Sequence, residues 1–521
     1  MWVILLLISW LSSSCYASKI LALFPYPGRS HFVVADTLLI ELSKRGHEVT
    51  VYSCYPKNYS LPNYKEIDIK SCFPMLDNID PYTALSKGDS VFTYMRILLS
   101  LPPYYDQIST CKPILELRNT TEKYDLLITQ ALDKDFFTLF AYKLNVPFIG
   151  FYPDPPRHWM ANRMGMPYNP SYMPNLSLGF VSRMTFWQRL INFVVEVDAY
   201  FMYDIYSYER GNEMAEKFFG QVPRLQDWVK NTSLMFFYVH CSFYQARPLV
   251  PNTVDVHGLH IKPSKPLNEN IEKFINESKH GVVYFCMGSL LRGETFPPEK
   301  REAFLYAFSK IPQRVLWKWE GDVLPGKSDN IMISKWMPQR DILAHPNVKL
   351  FISHGGLLGT SEAVYEGVPV LGIPIFGDQR TNIKSLEANG AGELLDYNEI
   401  SKEVVLEKIQ RLLNDPKYKE NAKLLSDRYR DRPMSPLDTA VYWTEYVIRH
   451  KGAPHLRTAA ADMPWYQYLL LDVIAFIVAV LVAGLLIIYY TTKFILRAIY
   501  GLICGGGAKK GSSKSDKKKR N

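Results

Sequence analysis

Two kinds of apolar pattern alternate along this chain. Short unbroken apolar runs, as buried parallel strands require, give way to segments whose apolar residues recur every three or four positions, as one face of a helix does. In "SKILALFPYPGRSHFVVADTLLIELSKRGHEVTVYS" the run from Ile20 to Phe24 leads through a Pro/Gly loop into a helix with Val33, Leu38, Leu39 and Leu42 on its apolar side. A second strand follows from Glu48 to Ser53, which completes a βαβ unit. "YDLLITQALDKDFFTLFAYKLNVPFIGFY" repeats strand, helix and strand, and "HGVVYFCMGSL", near residue 280, opens another series that runs to about residue 390. The alternation predicts two doubly wound α/β domains, joined near residues 250 to 265, where "RPLVPNTVDVHGLHIKPSKP" is dense in proline.

Two apolar stretches stand outside this alternation. Residues 3 to 11, "VILLLISWL", are too few to cross a bilayer and are followed by small residues at Ala17 and Ser18, so residues 1–17 read as a signal peptide. Residues 468–490, "YLLLDVIAFIVAVLVAGLLIIYY", reach the length a hydrocarbon core demands and carry only Asp472 as a charge. They predict one transmembrane helix, preceded by a juxtamembrane segment, 451–467.

Charge then fixes the orientation. The formal net charge of +9 would invite a nucleic-acid reading, but the tail 491–521 holds nine Lys/Arg against one Asp, so almost all the basicity lies there. A basic tail beside an apolar helix stays cytosolic, which places residues 18 to about 465 in the lumen of a single-pass type I membrane protein. No nucleic-acid partner is implied. The ending "KKRN" resembles a dilysine signal for retrieval to the endoplasmic reticulum, with Lys518 and Lys519 at its two positions. Sequons at Asn58, Asn119, Asn175, Asn231 and Asn276 fall on the luminal side and are candidate glycosylation sites. Between signal and tail stand Cys54, Cys72, Cys111, Cys241 and Cys286, an odd number without metal-ligand spacing, so neither a disulfide scaffold nor a metal site is indicated.

At 521 residues, 47% of them hydrophobic, the chain can bury two large cores, and parallel sheets bind ligands beyond the carboxyl ends of their strands. Attention therefore falls on "FISHGGLLGT". A strand ending in His354-Gly355-Gly356 ahead of a helix lets an anion approach backbone N–H groups at the positive end of a helix dipole. The longer stretch "FISHGGLLGTSEAVYEGVPVLGIPIFGDQ" resembles the signature of the UDP-glycosyltransferases, above all the membrane-anchored insect members.

That resemblance implies the GT-B fold: two Rossmann-like domains facing across a cleft, with residues 18–260 binding the acceptor and 261–450 the UDP-sugar. It also implies site residues. Trp336 stacks on the uracil, Gln339 contacts the nucleoside and Glu362 accepts from the ribose hydroxyls. His354 and Ser289 hold the diphosphate with Gly355, Gly356 and Gly359, and Asp378 with Gln379 holds the hexose. Where many relatives have Asn in this motif the chain has Leu358, so that phosphate contact is absent or supplied by Thr360. Cys286 and Met287 replace commoner Ser and Leu.

Transfer from a UDP-sugar to a hydroxyl needs a base, and His31, after the first strand, stands where the family places its catalytic histidine; an ordinary imidazole pKa of ~6.5 suits the task. Relatives often set a carboxylate directly after the strand in "YDLLIT". This chain has Gln130 there, so Asp135, or else Asp133, is expected to partner His31. The same "DKD" could instead be a Mn2+-binding DxD pair of the other, GT-A, glycosyltransferase fold.

The resemblance implies no cofactor or metal, only a UDP-sugar co-substrate, most often UDP-glucose, a small lipophilic acceptor conjugated with inversion, and room for a homo-oligomer. Residues 151–245 are rich in aromatics and methionine, which suits an adaptable apolar pocket and equally a buried helical subdomain. A membrane lipid such as ceramide as acceptor, and a non-catalytic binder of lipophiles, are the alternatives.

Overall fold

The computed structural model describes residues 17–57, 59–73, 107–131, 135–288 and 291–504. They form two units, one reaching Ala461 and one beginning at Asp462.

The first unit holds two wholly parallel sheets. Seven strands make the first, in the order β3-β2-β1-β4-β5-β6-β7: β1 Lys19–Phe24, β2 Glu48–Ser53, β3 Tyr64–Asp68, β4 Leu126–Gln130, β5 Phe148–Tyr152, β6 Leu234–Phe237 and β7 Thr253–Asp255. Six make the second, in the order β10-β9-β8-β11-β12-β13: β8 Val282–Cys286, β9 Arg314–Lys318, β10 Ile331–Ser334, β11 Val348–Ser353, β12 Val370–Gly372 and β13 Gly392–Leu394. The strands read as unbroken apolar runs because both faces of each sheet are covered. Along β1, Ile20, Ala22 and Phe24 join one core while Leu21 and Leu23 join another on the opposite face.

Strand order reverses between β1 and β4 in the first sheet and between β8 and β11 in the second. Chain leaving the carboxyl ends at such a point departs to opposite sides and opens a crevice. Both candidate chemistries sit there: helix α1, Arg29–Lys44, starts after β1, and the His-Gly-Gly segment follows β11. Further helices used below are α2 His158–Met164, α3 Phe186–Tyr203, α4 Gln339–Leu343, α5 Leu357–Glu366, α6 Gln379–Ala388 and α7 Pro436–Arg449.

The chain passes from the first sheet to the second between Asp255 and Glu269, and later returns. α7 is started by Ser435, whose hydroxyl accepts from the Asp438 N–H at 3.0 Å, and by Pro436 in its first turn. It packs on α1, with Arg45 to Asp438 at 3.3 Å.

The second unit contains α8, Leu471–Cys504, 34 residues long and apolar enough to cross a membrane. The helix starts three residues after the expected span and runs past it, which 34 residues at ~1.5 Å each allow in a tilted or extended form. The signal-like residues up to 16, the basic tail from 505, and with it Lys518 and Lys519, lie outside the described residues.

Among the described residues one disulfide, Cys72–Cys111, joins the loop after β3 to the segment before β4. The odd cysteine count concealed it, because Cys54, Cys241 and Cys286 are free thiols. Of the sequons, Asn119, Asn231 and Asn276 are exposed and Asn58 lies outside the described residues. Asn175 is corrected: only 4% of it is exposed, and its amide donates to Glu196 at 3.0 Å, so the described fold closes it to modification.

Candidate active site

The donor side is assembled at the carboxyl end of the second sheet. β11 ends at Ser353, and Gly355, at φ +83°, takes a conformation that favours glycine and turns the backbone into α5, with Gly356 as its N-cap. The His354 ring is held between two glycines: a Cβ on Gly288 would lie 2.5 Å from it, and one on Gly356 would also collide. Close approach is thus the reason for glycine at both positions. Gly288 belongs to the loop after β8, so the ring marks the switch point between β8 and β11. Burial and the nearby Lys318 ammonium lower the His354 pKa from 6.5 to about 4, so the imidazole is neutral at pH 7 and offers an N–H without a charge. Lys318 donates to the Gly288 carbonyl at 3.0 Å and to Glu320 at 2.6 Å. Ser289, next in that loop, lies outside the described residues.

The residues expected to meet the nucleoside stand on the loop between β10 and α4 and on α5. Trp336 is 66% exposed, and the Arg29 guanidinium lies 5.7 Å from its ring. Arg29 is the first residue of α1, so this contact brings the helix that carries His31 beside the donor loop. Gln339 Nε2 donates to Glu362 Oε2 at 2.7 Å, and Gly359 makes room for that amide, since a Cβ there would lie 2.9 Å from Nε2. Burial pushes the Glu362 carboxyl up to about 7, against the pull of Gln339 and Arg340. His260, from the crossing between the sheets, approaches the other Glu362 oxygen at 3.8 Å and meets the Leu358 carbonyl at 3.2 Å.

Two expected donor contacts are corrected. Thr360 is fully buried and spends its hydroxyl on the Gly356 carbonyl, at 2.9 Å, one turn back along α5. It does not replace the asparagine of relatives, and Leu358, packed against the core, brings no polar side-chain atom. Gln379 is also buried: its Oε1 accepts from the N–H groups of Ile375 at 2.7 Å and Phe376 at 3.0 Å, so this oxygen shapes the loop before α6 and is not open to a sugar hydroxyl. Asp378 remains part-open at the N-cap of α6. Asn382 holds it by donating to Oδ2 at 2.6 Å and to the Gly355 carbonyl at 2.9 Å. Tyr244, from the other sheet's half, bonds Asn382 Oδ1. Neither Asn382 nor Tyr244 was singled out from sequence, although the Asp378–Asn382 spacing of four is the helical signal that could have found the first. Burial raises the Asp378 pKa.

The acceptor side is sparser. His31 occupies the first turn of α1, behind Gly28, where a side chain would collide with Tyr26 and meet His31 Nδ1 at 2.9 Å. The Tyr26 ring lies 4.8 Å from the imidazole, and Ser30 Oγ is 3.3 Å from Nδ1. His31 is part-exposed, yet enclosed enough that burial lowers its pKa from 6.5 to about 4, below the ordinary value expected from sequence.

No carboxylate contacts His31 among the described residues, and the expected partner Asp135 is corrected. Its two oxygens are taken by Arg163 of α2, at 2.7 and 2.6 Å, and by the Tyr203 hydroxyl at 2.6 Å, all three residues being buried. Asp135 opens a short 3-10 turn after β4 and ties that turn to α2 and α3. Asp133 lies outside the described residues. Gln130, at the end of β4, is buried with its Nε2 lacking a partner. An aspartate locked to arginine is no ligand for Mn2+, and the two-sheet architecture removes the GT-A alternative.

Comparison with known proteins agrees with this arrangement. Residues 19–505 match the family model described as UDP-glucoronosyl and UDP-glucosyl transferase. The chain is 60% identical to UDP-glycosyltransferase UGT5 of Dactylopius coccus, over 95% of each chain. It is 42% identical to UDP-glucosyltransferase 2 of the same organism, over 99% of each. Among solved structures, UDP-glucose: anthocyanidin 3-O-glucosyltransferase in complex with UDP superposes with a TM-score of 0.56 at 17% identity, covering 83% of this chain and 99% of that one, a likeness of fold.

Proposed function

Because this chain belongs to the family of UDP-glucuronosyl and UDP-glucosyl transferases and transfers a sugar from a UDP-sugar donor, we propose that the sugar is glucose, the acceptor is a small lipophilic alcohol or phenol, and the anomeric carbon is inverted. The observation that carries the reading is the placement of a neutral imidazole, His31, at the switch point of one sheet, with Arg29 of the same helical turn reaching Trp336 of the donor loop.

In the proposed step the acceptor oxygen attacks the anomeric carbon as its proton passes to His31, while the bond to the β-phosphate oxygen breaks and UDP leaves. Attack from the side opposite the leaving group is what inverts the centre. Charge growing on the diphosphate is met by N–H groups at the start of α5, by the α5 dipole and by His354, without a metal ion. Asp378, steadied by Asn382, accepts from the hexose hydroxyls, and Glu362 accepts from the ribose. Glucose is favoured over glucuronate by the 42% relative named as a glucosyltransferase.

An apolar acceptor is supported by the aromatic-rich segment 151–245 and by α8, which marks a chain of the membrane. The nine Lys/Arg that follow residue 490 favour a cytosolic tail with the catalytic unit in the lumen of the endoplasmic reticulum, where conjugation of xenobiotics and lipophilic metabolites would occur.

Purified full-length protein, given UDP-glucose, UDP-glucuronate or UDP-galactose with a phenol in the presence of EDTA, tests the proposal. UDP release with glucose, and a β-linked product by proton coupling, is expected. Activity lost to EDTA and restored by Mn2+, or an α-linked product, would overturn it.

A further inference from the structure

The donor loops of the second sheet are reached by a side chain from the first sheet's half. Tyr244 closes the short helix Cys241–Tyr244 that follows β6, and its hydroxyl meets Asn382 of α6, 138 residues further along the chain. Tyr244 is 4% exposed and Asn382 0%, so water has no ready access to the bond between them.

The direction of each bond in this relay follows from what the groups can do. The Gly355 carbonyl can only accept, so the Asn382 group facing it at 2.9 Å is the amide nitrogen. The other N–H of that nitrogen goes to Asp378 Oδ2 at 2.6 Å. The amide oxygen is left facing Tyr244, which therefore donates. Burial, with Asp378 and Asp154 close by, raises the Tyr244 pKa, so the hydroxyl keeps the proton that this bond needs.

Tyr244 thus orients Asn382, and Asn382 orients Asp378. Without the tyrosine hydroxyl, Asn382 Oδ1 would be buried with no donor, which favours turning the amide over or drawing it away, and either movement releases the Asp378 carboxyl. The tyrosine ring itself is held: its centroid lies 4.5 Å from that of Phe243, which is fully buried, and 5.9 Å from that of His257.

Tyr238, in the same segment, serves a different branch. Its hydroxyl bonds His260 Nδ1, while His260 Nε2 meets the Leu358 carbonyl at 3.2 Å and stands 3.8 Å from Glu362. That branch runs to the residue assigned to the ribose, whereas the Tyr244 branch runs to the residue assigned to the hexose.

We infer, on the assignment of Asp378 to the hexose hydroxyls, that Tyr244 is a positioning residue for hexose recognition. It acts through Asn382 and touches no substrate. A residue carried by the acceptor half therefore belongs in function to the donor side.

Calorimetry on the full-length protein with UDP and with UDP-glucose, comparing wild type with Tyr244→Phe, Asp378→Asn and Tyr238→Phe, tests the inference. UDP lacks the hexose, so the ratio of the two affinities isolates its contribution. A partly unfolded preparation lowers the binding stoichiometry and leaves that ratio unchanged. Tyr244→Phe should lower UDP-glucose affinity about three- to tenfold relative to UDP affinity, as the loss of one buried hydrogen bond does. Asp378→Asn should lower the ratio as well, and Tyr238→Phe should leave it at the wild-type value. A wild-type ratio in Tyr244→Phe beside a lowered ratio in Asp378→Asn would overturn the role of Tyr244 alone. So would an equal fall in Tyr238→Phe, which would reduce Tyr244 to general bracing between the halves. A wild-type ratio in Asp378→Asn would instead remove Asp378 from the hexose, and the role of Tyr244 with it.

Discussion

The donor side and the acceptor side of the cleft are built in different ways. Between Trp336 and Gln379, groups expected to touch the nucleotide come from consecutive strand-loop-helix units of one sheet and brace one another directly: Gln339 on Glu362, Asn382 on Asp378 and on the Gly355 carbonyl. On the acceptor side His31 meets Ser30 and Tyr26 among the described residues, and Asp135 is spent on Arg163 and Tyr203. A donor site of the kind proposed can be written in a contiguous motif. The proposed base, His31, is kept neutral by burial.

The largest effect should come from the element that holds the acceptor side together. Asp135→Ala leaves the Arg163 guanidinium buried without its counter-charge and should cost ~3–5 kcal/mol of stability, seen as a fall in thermal midpoint. A stable Asp135→Ala protein with lost turnover would instead make Asp135 the partner of His31 and erase the contrast between the two sides.

On the donor side, Glu362→Ala and Trp336→Ala should each weaken UDP-glucose binding by ~1–3 kcal/mol while turnover at saturating donor falls less. Calorimetry with UDP-glucose checks both.

pH separates the sides further. The donor KM should rise as pH falls through about 7, where Glu362 gains a proton and ceases to accept from the ribose as a carboxylate, and Glu362→Gln should flatten that rise. At saturating donor, kcat should stay level across neutrality and fall only as pH drops toward about 4, because His31 is an effective base only when unprotonated. A midpoint in kcat near 6.5 would show that His31 has its ordinary basicity in the working enzyme.

The smallest effect is expected at Thr360, which faces inward: Thr360→Val should leave donor affinity unchanged and cost about 1 kcal/mol of stability or less. Loss of affinity comparable with Glu362→Ala would return Thr360 to the phosphate site.

How much of this could be read from the sequence follows the same division. The two sheets were legible because strands covered on both faces show as unbroken apolar runs, and the run Glu48 to Ser53 was placed to the residue. The donor loop was legible because its side chains are local, apart from Thr360 and Gln379, whose residue type fits a ligand contact and a helix-internal or loop-pinning bond equally well. Asp135 was misread because its partners lie 28 and 68 residues away, and Asn175 because the loop that carries it packs on Glu196 of α3, 21 residues on.

The central claim, that the two sides divide binding from chemistry, is tested most directly by His31→Ala. Donor affinity by calorimetry and turnover on a phenol should be measured on the same folded preparation. UDP-glucose affinity should stay within about twofold of wild type while turnover falls by the ~10^2 to 10^4-fold that a general base supplies. Turnover near the wild-type rate, or a loss confined to donor affinity, would contradict it.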